Sequence, residues 1–496
     1  MNSNIEKGKS NYKSIAKGNA LFGGVQLYNI LISIFRSKLV AVILGPDGMG
    51  IMGLLNSSID LVKSATNFGL QTSAVRDISL ANNTNDIKKI EHVNAIVSKI
   101  VWFTGFLGLF TCFIFAKYLS IWSFGNEEYT NILRILSIVL LISQLTVSNQ
   151  VLLQGLRRLK DLAKSNIIGN TLGFIIVIPL YYWLGINGIA PSIIITAFIT
   201  YFVSLYYYRK LKLSKKDISI KQAFVQGKDM VSLGFMLSFT GIMDVLVTYL
   251  IKIFISNIGG ISEVGFYNAG FAIIIGYVGL IFSSIGTDYY PRLVSVIDDV
   301  EKYNDVINEQ MEIMVLALLP LVSLFITLSP IVIRILYSEQ FLSICPMVNI
   351  MAVGMILRAI SWCPGFMYIA KGDTKLYLII YIITIIIMLL VYFSCYYYWG
   401  LTGIGVAFIL VYFIGLPSTF LITKHYYNYR LRSATKRINY IVMILAGCIL
   451  ACSFTSGFYS WIGMGSLTLL GCLYSIWELN KRLDLCRFVR QRFLRK

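Results

Sequence analysis

The chain has 496 residues, of which 57% are hydrophobic and 14% are charged, and its mean hydropathy is +0.72. These values exclude an ordinary soluble domain and predict an integral membrane protein. The formal net charge of +19 would suggest a nucleic-acid partner in a soluble protein, so the placement of the basic residues has to decide that question.

Fourteen runs of mostly apolar residues follow one another along the chain, and each is long enough to cross a hydrocarbon core roughly 30 Å thick. The predicted spans are 19–44, 49–72, 96–119, 132–153, 166–184, 189–207, 231–256, 266–290, 311–335, 346–370, 376–396, 402–423, 440–456 and 460–478. The sequence therefore predicts an all-α integral membrane protein with about 14 transmembrane helices.

Most basic residues lie in the polar N-terminus, after every second span and in the C-terminal tail. The alternate connections, such as 45–49 and 185–190, contain none. This asymmetry follows the positive-inside rule and predicts that both termini lie in the cytoplasm. It also explains the net charge without a nucleic-acid partner.

An internal repeat is visible at an offset of about 215 residues. The turn Tyr181–Ile189 has a counterpart in Tyr397–Ile404, Gly50 matches Gly265, and Gln154-Gly155 matches Lys371-Gly372. Six spans per half give both halves the same orientation, so the repeat predicts two six-helix lobes related by a pseudo-two-fold axis along the membrane normal. The predicted division is 1–218, 219–432 and an additional pair of helices with a basic tail at 433–496.

The eight cysteines include no CxxC pair, and the two histidines, His92 and His425, stand alone in loops. Neither residue type forms a metal-binding pattern. The sequence therefore predicts no metal site and no cofactor.

Three spans carry polar or charged side chains at helical spacing. They are Asn19, Gln26, Asn29, Ser33 and Arg36 in span 1, Asn56, Asp60, Lys63, Asn67 and Gln71 in span 2, and Asp244, Thr248 and Lys252 in span 7. An ionisable group near the bilayer centre costs at least about 2.5–3.5 kcal/mol. These stripes therefore predict helix faces that line a central polar cavity.

Some of these charges have possible partners, since Asp60 could pair with Lys63, and Asp244 with Lys252. Arg36, Lys38 and Arg358 have no acidic neighbour at helical spacing. The resulting basic excess favours an anion such as phosphate or pyrophosphate.

The segment Ser37–Gly50 resembles the first-hairpin signature of the Wzx-type O-antigen flippases. These are polysaccharide-export members of the superfamily that also contains the MATE drug exporters and the lipid II flippases. The doubled Gly-x-x-Gly-Ile turn, at Gly185 and Gly400, and the Gln154-Gly155 element are similar too.

This resemblance implies a V-shaped two-lobe fold, alternating access, and a glycan substrate linked through pyrophosphate to a polyprenol carrier. Arg36 stands where the lipid II flippases have a cavity arginine that grips pyrophosphate, and Lys38 where Wzx-type proteins often have lysine. Spans 13 and 14 depart from the twelve-span Wzx pattern.

The predicted function is that of a flippase, not an enzyme, which moves a polyprenyl-pyrophosphate-linked oligosaccharide (O-antigen, capsule or a similar repeat unit) to the outer leaflet. The candidate substrate-binding residues are Asn29, Arg36, Lys38, Lys63, Arg76, Lys252 and Arg358, and the candidate ion-coupling residues are Asp60 and Asp244. Arg76 is either a topological anchor or a first contact for the anion. The expected partners are the lipid-linked oligosaccharide, membrane lipid, a coupling proton or sodium ion, and the polysaccharide polymerase and chain-length machinery. The expected location is the bacterial inner membrane.

Two alternatives remain open, a MATE-like ion-coupled exporter of drugs or small molecules and a lipid II flippase. A cation exporter should show an acidic rather than a basic cavity. A glycan polymerase or ligase would need a sizeable non-cytoplasmic loop, and the longest here lies near 120–131. A scaffold for polysaccharide assembly would not need polar stripes inside its spans.

Overall fold

The computed structural model describes residues 24–84, 86–214, 216–455 and 457–483. Within these ranges every regular element is helical. The α-helices are α1 Gly24–Ile43, α2 Gly45–Thr66, α3 Leu70–Asn83, α4 Ile87–Phe124, α5 Thr130–Gly155, α6 Leu159–Leu184, α7 Ile189–Arg209, α8 Ile220–Gln226, α9 Lys228–Gly259, α10 Ile261–Phe271, α11 Leu280–Val294, α12 Val300–Leu336, α13 Cys345–Ala370, α14 Thr374–Tyr427, α15 Ser433–Ser453 and α16 Phe458–Leu483.

Eleven helical segments of the described ranges are long and apolar enough to cross a membrane. The segments Leu159–Arg209 and Thr374–Tyr427 have 51 and 54 residues, about twice the length that one crossing needs, and each is broken at a glycine. Helix α2 is less apolar because it carries Asp47, Asp60 and Lys63. With these included, the described part of the chain contains the fourteen helices that the sequence predicts.

The repeat is also visible in the backbone. Gly185 has φ 55° and ψ −131°, and its counterpart Gly400 has φ 54° and ψ −138°. Gly45 and Gly260 both have positive φ, at 66° and 88°. This region of φ strongly favours glycine, which explains why the two halves keep glycine at the same turns.

Predicted span 2 is interrupted. Helix α2 ends at Thr66, Phe68 and Gly69 have φ of 50° and 62°, and α3 begins at Leu70. The Asn67 side chain accepts a hydrogen bond from the Gly69 N–H at 2.9 Å. A polar residue able to bond its own backbone competes with the helix at this point.

Predicted span 8 also differs from a regular helix, because a π-helical segment, Ala272–Val278, separates α10 from α11. Such segments are rare and often lie at functional sites.

The described residues form two compact units that divide between Gly265 and Phe266. In the first unit α4 packs against α5, α6 against α7, and α9 against α2 and α3. In the second unit α13 packs against α12 and α14, and α12 also packs against α15 and α16. The repeat boundaries at 218/219 and 432/433 stay a prediction from the sequence.

Two landmark glycines of the repeat lie in one contact inside the first unit. A Cβ atom at Gly50 would lie 2.0 Å from the carbonyl oxygen of Ile261, and one at Gly265 would lie 2.0 Å from that of Pro46. The Ser262 hydroxyl donates a hydrogen bond to Asp47 beside them. The starts of α2 and α10 thus approach each other closely enough that only glycine fits.

A buried ionic cluster fixes the last two helices in the second unit. Arg482 of α16 donates to Glu312 of α12, with 2.6 Å between Nε and Oε2, and also to Glu478. Thr435 of α15 donates to the second oxygen of Glu312. The Glu312 and Glu478 side chains are 8% and 1% exposed, so the cluster joins three helices at a point largely closed to water.

We expect Gly50→Ala to destabilise the first unit, because the added methyl would collide with the backbone of α10. Overpacking of this kind costs about 1–3 kcal/mol. The midpoint of thermal unfolding in detergent measures it. Gly241→Ala in α9 is the control, since a Cβ there has no neighbour within 4 Å; equal unfolding temperatures for the two variants would contradict the close contact.

Arg482→Ala should lower the free energy of unfolding by about 3 kcal/mol, the lower end for breaking a buried ion pair, since it leaves two buried carboxylates without their main counter-charge. Arg334→Ala provides the comparison, because Arg334 pairs with Glu339 at 3.4 Å on the surface, with side chains 59% and 76% exposed. Exposed pairs contribute about 0–1 kcal/mol. If both variants lose the same stability, the cluster does not anchor α16.

Candidate functional site

A polar cavity of about 510 Å³ lies inside the first unit, between α1, α2, α5 and α7 and the start of α3. It is lined by Ser33, Arg36, Ser37, Met52, Asn56, Lys63, Gln71, Ser143, Thr146, Val147, Gln150, Ile193, Thr196, Ala197 and Thr200. Its volume lies within the range of about 300–1,000 Å³ that is usual for ligand pockets. We call this space the polar cavity.

The polar cavity is basic. Arg36 and Lys63 line it, and the described lining residues include no carboxylate. Both side chains are half-buried, and neither forms a salt bridge with any residue in the described ranges. Hydroxyl and amide groups from α1, α2, α3, α5 and α7 surround them. This arrangement provides two cations and many neutral hydrogen-bonding groups for an anionic, polyhydroxylated ligand.

Asp60 lies on α2 close to the polar cavity and interacts electrostatically with both Lys63 and Lys252. Lys252 of α9 donates a hydrogen bond from Nζ to Ser57 Oγ at 2.7 Å. One carboxylate is therefore set against two ammonium groups, which leaves the region basic.

The contact between α2 and α9 that positions these charges is held by buried hydroxyl groups. Ser58 of α2 lies 3.1 Å from Ser123 of α4, and Ser123 lies 2.9 Å from the hydroxyl of Tyr249 on α9. Since hydrocarbon offers no hydrogen-bond partner, such pairs hold helices together in a bilayer.

Asn29 and Tyr28 connect α1 to α6. Asn170 Nδ2 donates to Asn29 Oδ1 at 2.9 Å, and the hydroxyls of Tyr28 and Thr171 lie 2.5 Å apart. Asn29 is thus bonded to a neighbouring helix and lies outside the described lining of the polar cavity. Lys38 is half-buried at the end of α1 and is also outside that lining.

The remaining predicted residues of the first unit lie apart from the polar cavity lining. Asp244 is exposed on α9, two turns before Lys252, and its backbone carbonyl accepts a hydrogen bond from Thr248. Arg76 is exposed on α3 and interacts electrostatically with Asp77.

Arg358 belongs to the second unit, on α13. Its guanidinium carbon lies 4.8 Å from the centroid of the Phe282 ring, which is the geometry of a cation–π contact. The side chain is half-buried.

Several lining residues of the polar cavity are absent from the predicted site. Ser143, Thr146 and Gln150 lie at i, i+3 and i+7 on α5, and Thr196 and Thr200 at i and i+4 on α7. This spacing places each set on one helix face, so the polar pattern of spans 4 and 6 could have indicated them. Thr196 Oγ1 is buried without a hydrogen-bond partner among the described residues, as expected for a group that a ligand or water would satisfy.

The fold is that of known membrane transporters. The structure of a lipid II flippase, MurJ, in an inward closed conformation matches with a TM-score of 0.68 and 16% identity, over 94% of this chain and all of that one. An inward-facing multidrug resistance MATE family transporter of the MOP superfamily matches with a TM-score of 0.64 and 16% identity, over 83% of this chain and 96% of that one. The chain is therefore a multi-pass membrane protein with the transporter fold shared by these proteins.

The family follows from the sequence match. A family model described as polysaccharide biosynthesis protein covers residues 39–346, which is more than half of the chain. The chain belongs to this family of polysaccharide biosynthesis proteins. A Shigella flexneri protein named as a candidate O-antigen transporter is 26% identical over 364 residues, which cover 71% of this chain and 84% of that protein.

The basic character of the polar cavity can be measured with a single cysteine. In a variant whose eight native cysteines are replaced by serine, we expect Ser33→Cys to react faster with an anionic methanethiosulfonate than with a cationic one, relative to a free thiol. A cleft of one sign raises the local concentration of the opposite ion on the order of ten-fold. Adding Arg36→Gln and Lys63→Gln should remove the preference. A preference for the cationic reagent would contradict a basic cavity.

Proposed function

We propose that the protein is a flippase that moves a polyprenyl-pyrophosphate-linked oligosaccharide, such as an O-antigen or capsule repeat unit, from the cytoplasmic to the outer leaflet. The observation that carries this proposal is the basic, hydroxyl- and amide-rich polar cavity inside a transporter fold. Membership of the polysaccharide biosynthesis family and the name of the Shigella flexneri relative support it.

The energetic barrier to unassisted flipping of such a substrate is large. Moving one unpaired hydroxyl into hydrocarbon costs roughly 4–8 kcal/mol, and a bare phosphate costs far more. A sugar chain on a pyrophosphate therefore needs a polar path through the membrane. In the proposed mechanism the glycan and pyrophosphate occupy this path while the prenyl chain stays in lipid.

Within the polar cavity, Arg36 supplies forked donors and Lys63 a point charge for the pyrophosphate. Asn56, Gln71 and Gln150 offer amide groups to sugar hydroxyls. Lys252 lies beyond this lining, hydrogen-bonded to Ser57, and adds positive potential. Alternating access between two lobes, residues 1–218 and 219–432, then exposes the ligand to the other side.

The other predicted residues take supporting roles in this proposal. Arg76, exposed on α3, provides a first contact for the anion, and Arg358 of α13 contributes basic charge from the second repeat. Asn29 holds α1 against α6 through its hydrogen bond with Asn170. Lys38, at the end of α1, adds positive charge.

Asp60 is the proposed coupling site, with Asp244 as the second candidate. The Asp60 carboxylate partly balances the charges of Lys63 and Lys252. Protonation of Asp60 would remove this balance and strengthen the hold on the anion, whereas proton loss would weaken it. A proton or a sodium ion could act in this way.

We further propose that the protein resides in a bacterial inner membrane with both termini in the cytoplasm, in accord with the basic loops. On the far side of the membrane, a polysaccharide polymerase and chain-length machinery would use the flipped oligosaccharide.

Two other functions fit the fold, export of drugs or small molecules coupled to an ion, and flipping of lipid II. Cationic drugs would be repelled by Arg36 and Lys63 in the polar cavity, which makes that alternative weaker. Lipid II shares the pyrophosphate and the prenyl chain, so only the glycan distinguishes it.

The test is flipping in proteoliposomes that contain polyprenyl-pyrophosphate oligosaccharide, read as glycan accessibility from outside. We expect protein-dependent flipping that falls by at least ten-fold in Arg36→Ala and Lys63→Ala, since a charged hydrogen bond to the anion contributes about 1.5–3 kcal/mol. Arg134→Ala should flip normally, because Arg134 stacks on Phe113 with 5.7 Å to the ring centroid, away from the polar cavity lining.

Absence of flipping with several glycans and imposed ion gradients, together with export of cationic dyes, would favour the drug exporter. Flipping of lipid II in preference to the oligosaccharide would favour the lipid II alternative. Equal loss in all three variants would remove the polar cavity from the mechanism.

A further inference from the structure

A second cavity, separate from the polar cavity, lies where α3, α4 and α9 meet the loop before α8. Its volume is about 590 Å³, and it is lined by Asp77, Leu80, Ala81, Thr84, Lys88, Lys89, His92, Val93, Ile96, Lys216, Gln226, Gly227 and Met230. Three lysines and one histidine face a single carboxylate, Asp77, in this described lining. We call it the basic pocket.

The basic pocket contains a polar atom that needs a partner. Nδ1 of His92 is buried and has no hydrogen-bond partner within the described ranges. A buried unsatisfied group is uncommon and points to a ligand or water. The nearby carboxylate of Glu91 already accepts a hydrogen bond from the Ser214 N–H at 2.8 Å.

An aromatic cavity of about 680 Å³ adjoins the basic pocket, and Lys216 lines both. Its other walls include Trp102, Phe103 and Phe106, which are 42%, 41% and 42% exposed. Lys99 and Asp217 form a salt bridge of 3.0 Å in its lining. The basic pocket and the aromatic cavity thus follow each other along α4.

The distances along α4 suit one leaflet of a bilayer. From Lys89 to Phe103 the helix rises roughly 21 Å at 1.5 Å per residue. One leaflet, with its headgroup layer, is about 20–22 Å thick. A ligand that spans both cavities would carry its charge at one end and an apolar chain at the other.

We propose that the basic pocket and the aromatic cavity together bind an anionic phospholipid. The lysines and His92 would hold the phosphate headgroup, and an acyl chain would lie along Trp102, Phe103 and Phe106. Basic pockets between membrane helices on the cytoplasmic side are suited to acidic headgroups. This assignment of side rests on the topology proposed above, whereas the binding itself does not depend on transport.

The test is lipid binding to the full-length protein in detergent, measured by native mass spectrometry with phosphatidylglycerol and phosphatidylcholine of equal chain length. We expect the wild type to prefer phosphatidylglycerol and the double variant Lys88→Gln/Lys216→Gln to bind it on the order of ten-fold more weakly. The matched control is Lys160→Gln/Lys164→Gln, which removes the same charge from exposed sites that line neither cavity.

A second variant tests the apolar part. Trp102→Ala should weaken long-chain phosphatidylglycerol more than a short-chain analogue, since only the long chain reaches the aromatic cavity. Both sets of variants should remain monodisperse on size exclusion.

Three results would overturn the proposal: no preference for phosphatidylglycerol, an equal loss in the control, or tighter binding of polyprenyl phosphate through the same lysines. The last would assign the site to the substrate carrier. Because Lys88 and Lys216 lie outside the polar cavity, failure here leaves the flipping assay with Arg36→Ala unaffected, and failure there leaves this binding assay intact.

Discussion

The high cost of an ionised side chain in hydrocarbon constrains the whole first unit. Arg36, Lys63 and Lys252 lie on helices that are otherwise apolar enough, or nearly so, to cross a membrane. Each such group at the bilayer centre costs at least about 2.5–3.5 kcal/mol unless it meets water or a partner. Helix α2, which carries Asp47, Asp60 and Lys63, consequently packs among α4, α5 and α9. Lys63 of α2 and Arg36 of α1 share the polar cavity.

Close backbone approach makes that arrangement possible. Where α2 meets α10, Gly50 and Gly265 leave no room for a methyl group. They are equivalent positions of the repeat, and each lies against a backbone carbonyl of the other's helix. The proximity of α2 and α9 that brings Lys252 to Ser57 and Asp60 belongs to the same packed region. A larger residue at either glycine would force the starts of α2 and α10 apart.

The sign of the charge in the polar cavity separates the possible functions of this fold better than its shape does. Proteins with matching folds include a drug exporter and a lipid flippase, and the backbone alone does not distinguish them. Arg36 and Lys63 without a lining carboxylate favour an anion, and the surrounding hydroxyl and amide groups favour a glycan. In the second unit, the Glu312–Arg482 cluster uses charge differently, because its members neutralise one another and tie α15 and α16 to α12.

The sequence by itself determined the number of spans, the repeat at Gly185 and Gly400, and the polar faces of α1 and α2. These features are local, since hydropathy and helical spacing depend only on nearby residues. Only the tertiary structure decided which faces share a cavity. It placed Gln150 and Thr196 beside Arg36 and Lys63, bonded Asn29 to Asn170, set Lys252 beside Asp60, and broke span 2 at Gly69. Spacing along a helix fixes the direction of a side chain relative to its neighbours in sequence, whereas its partner depends on how distant helices pack.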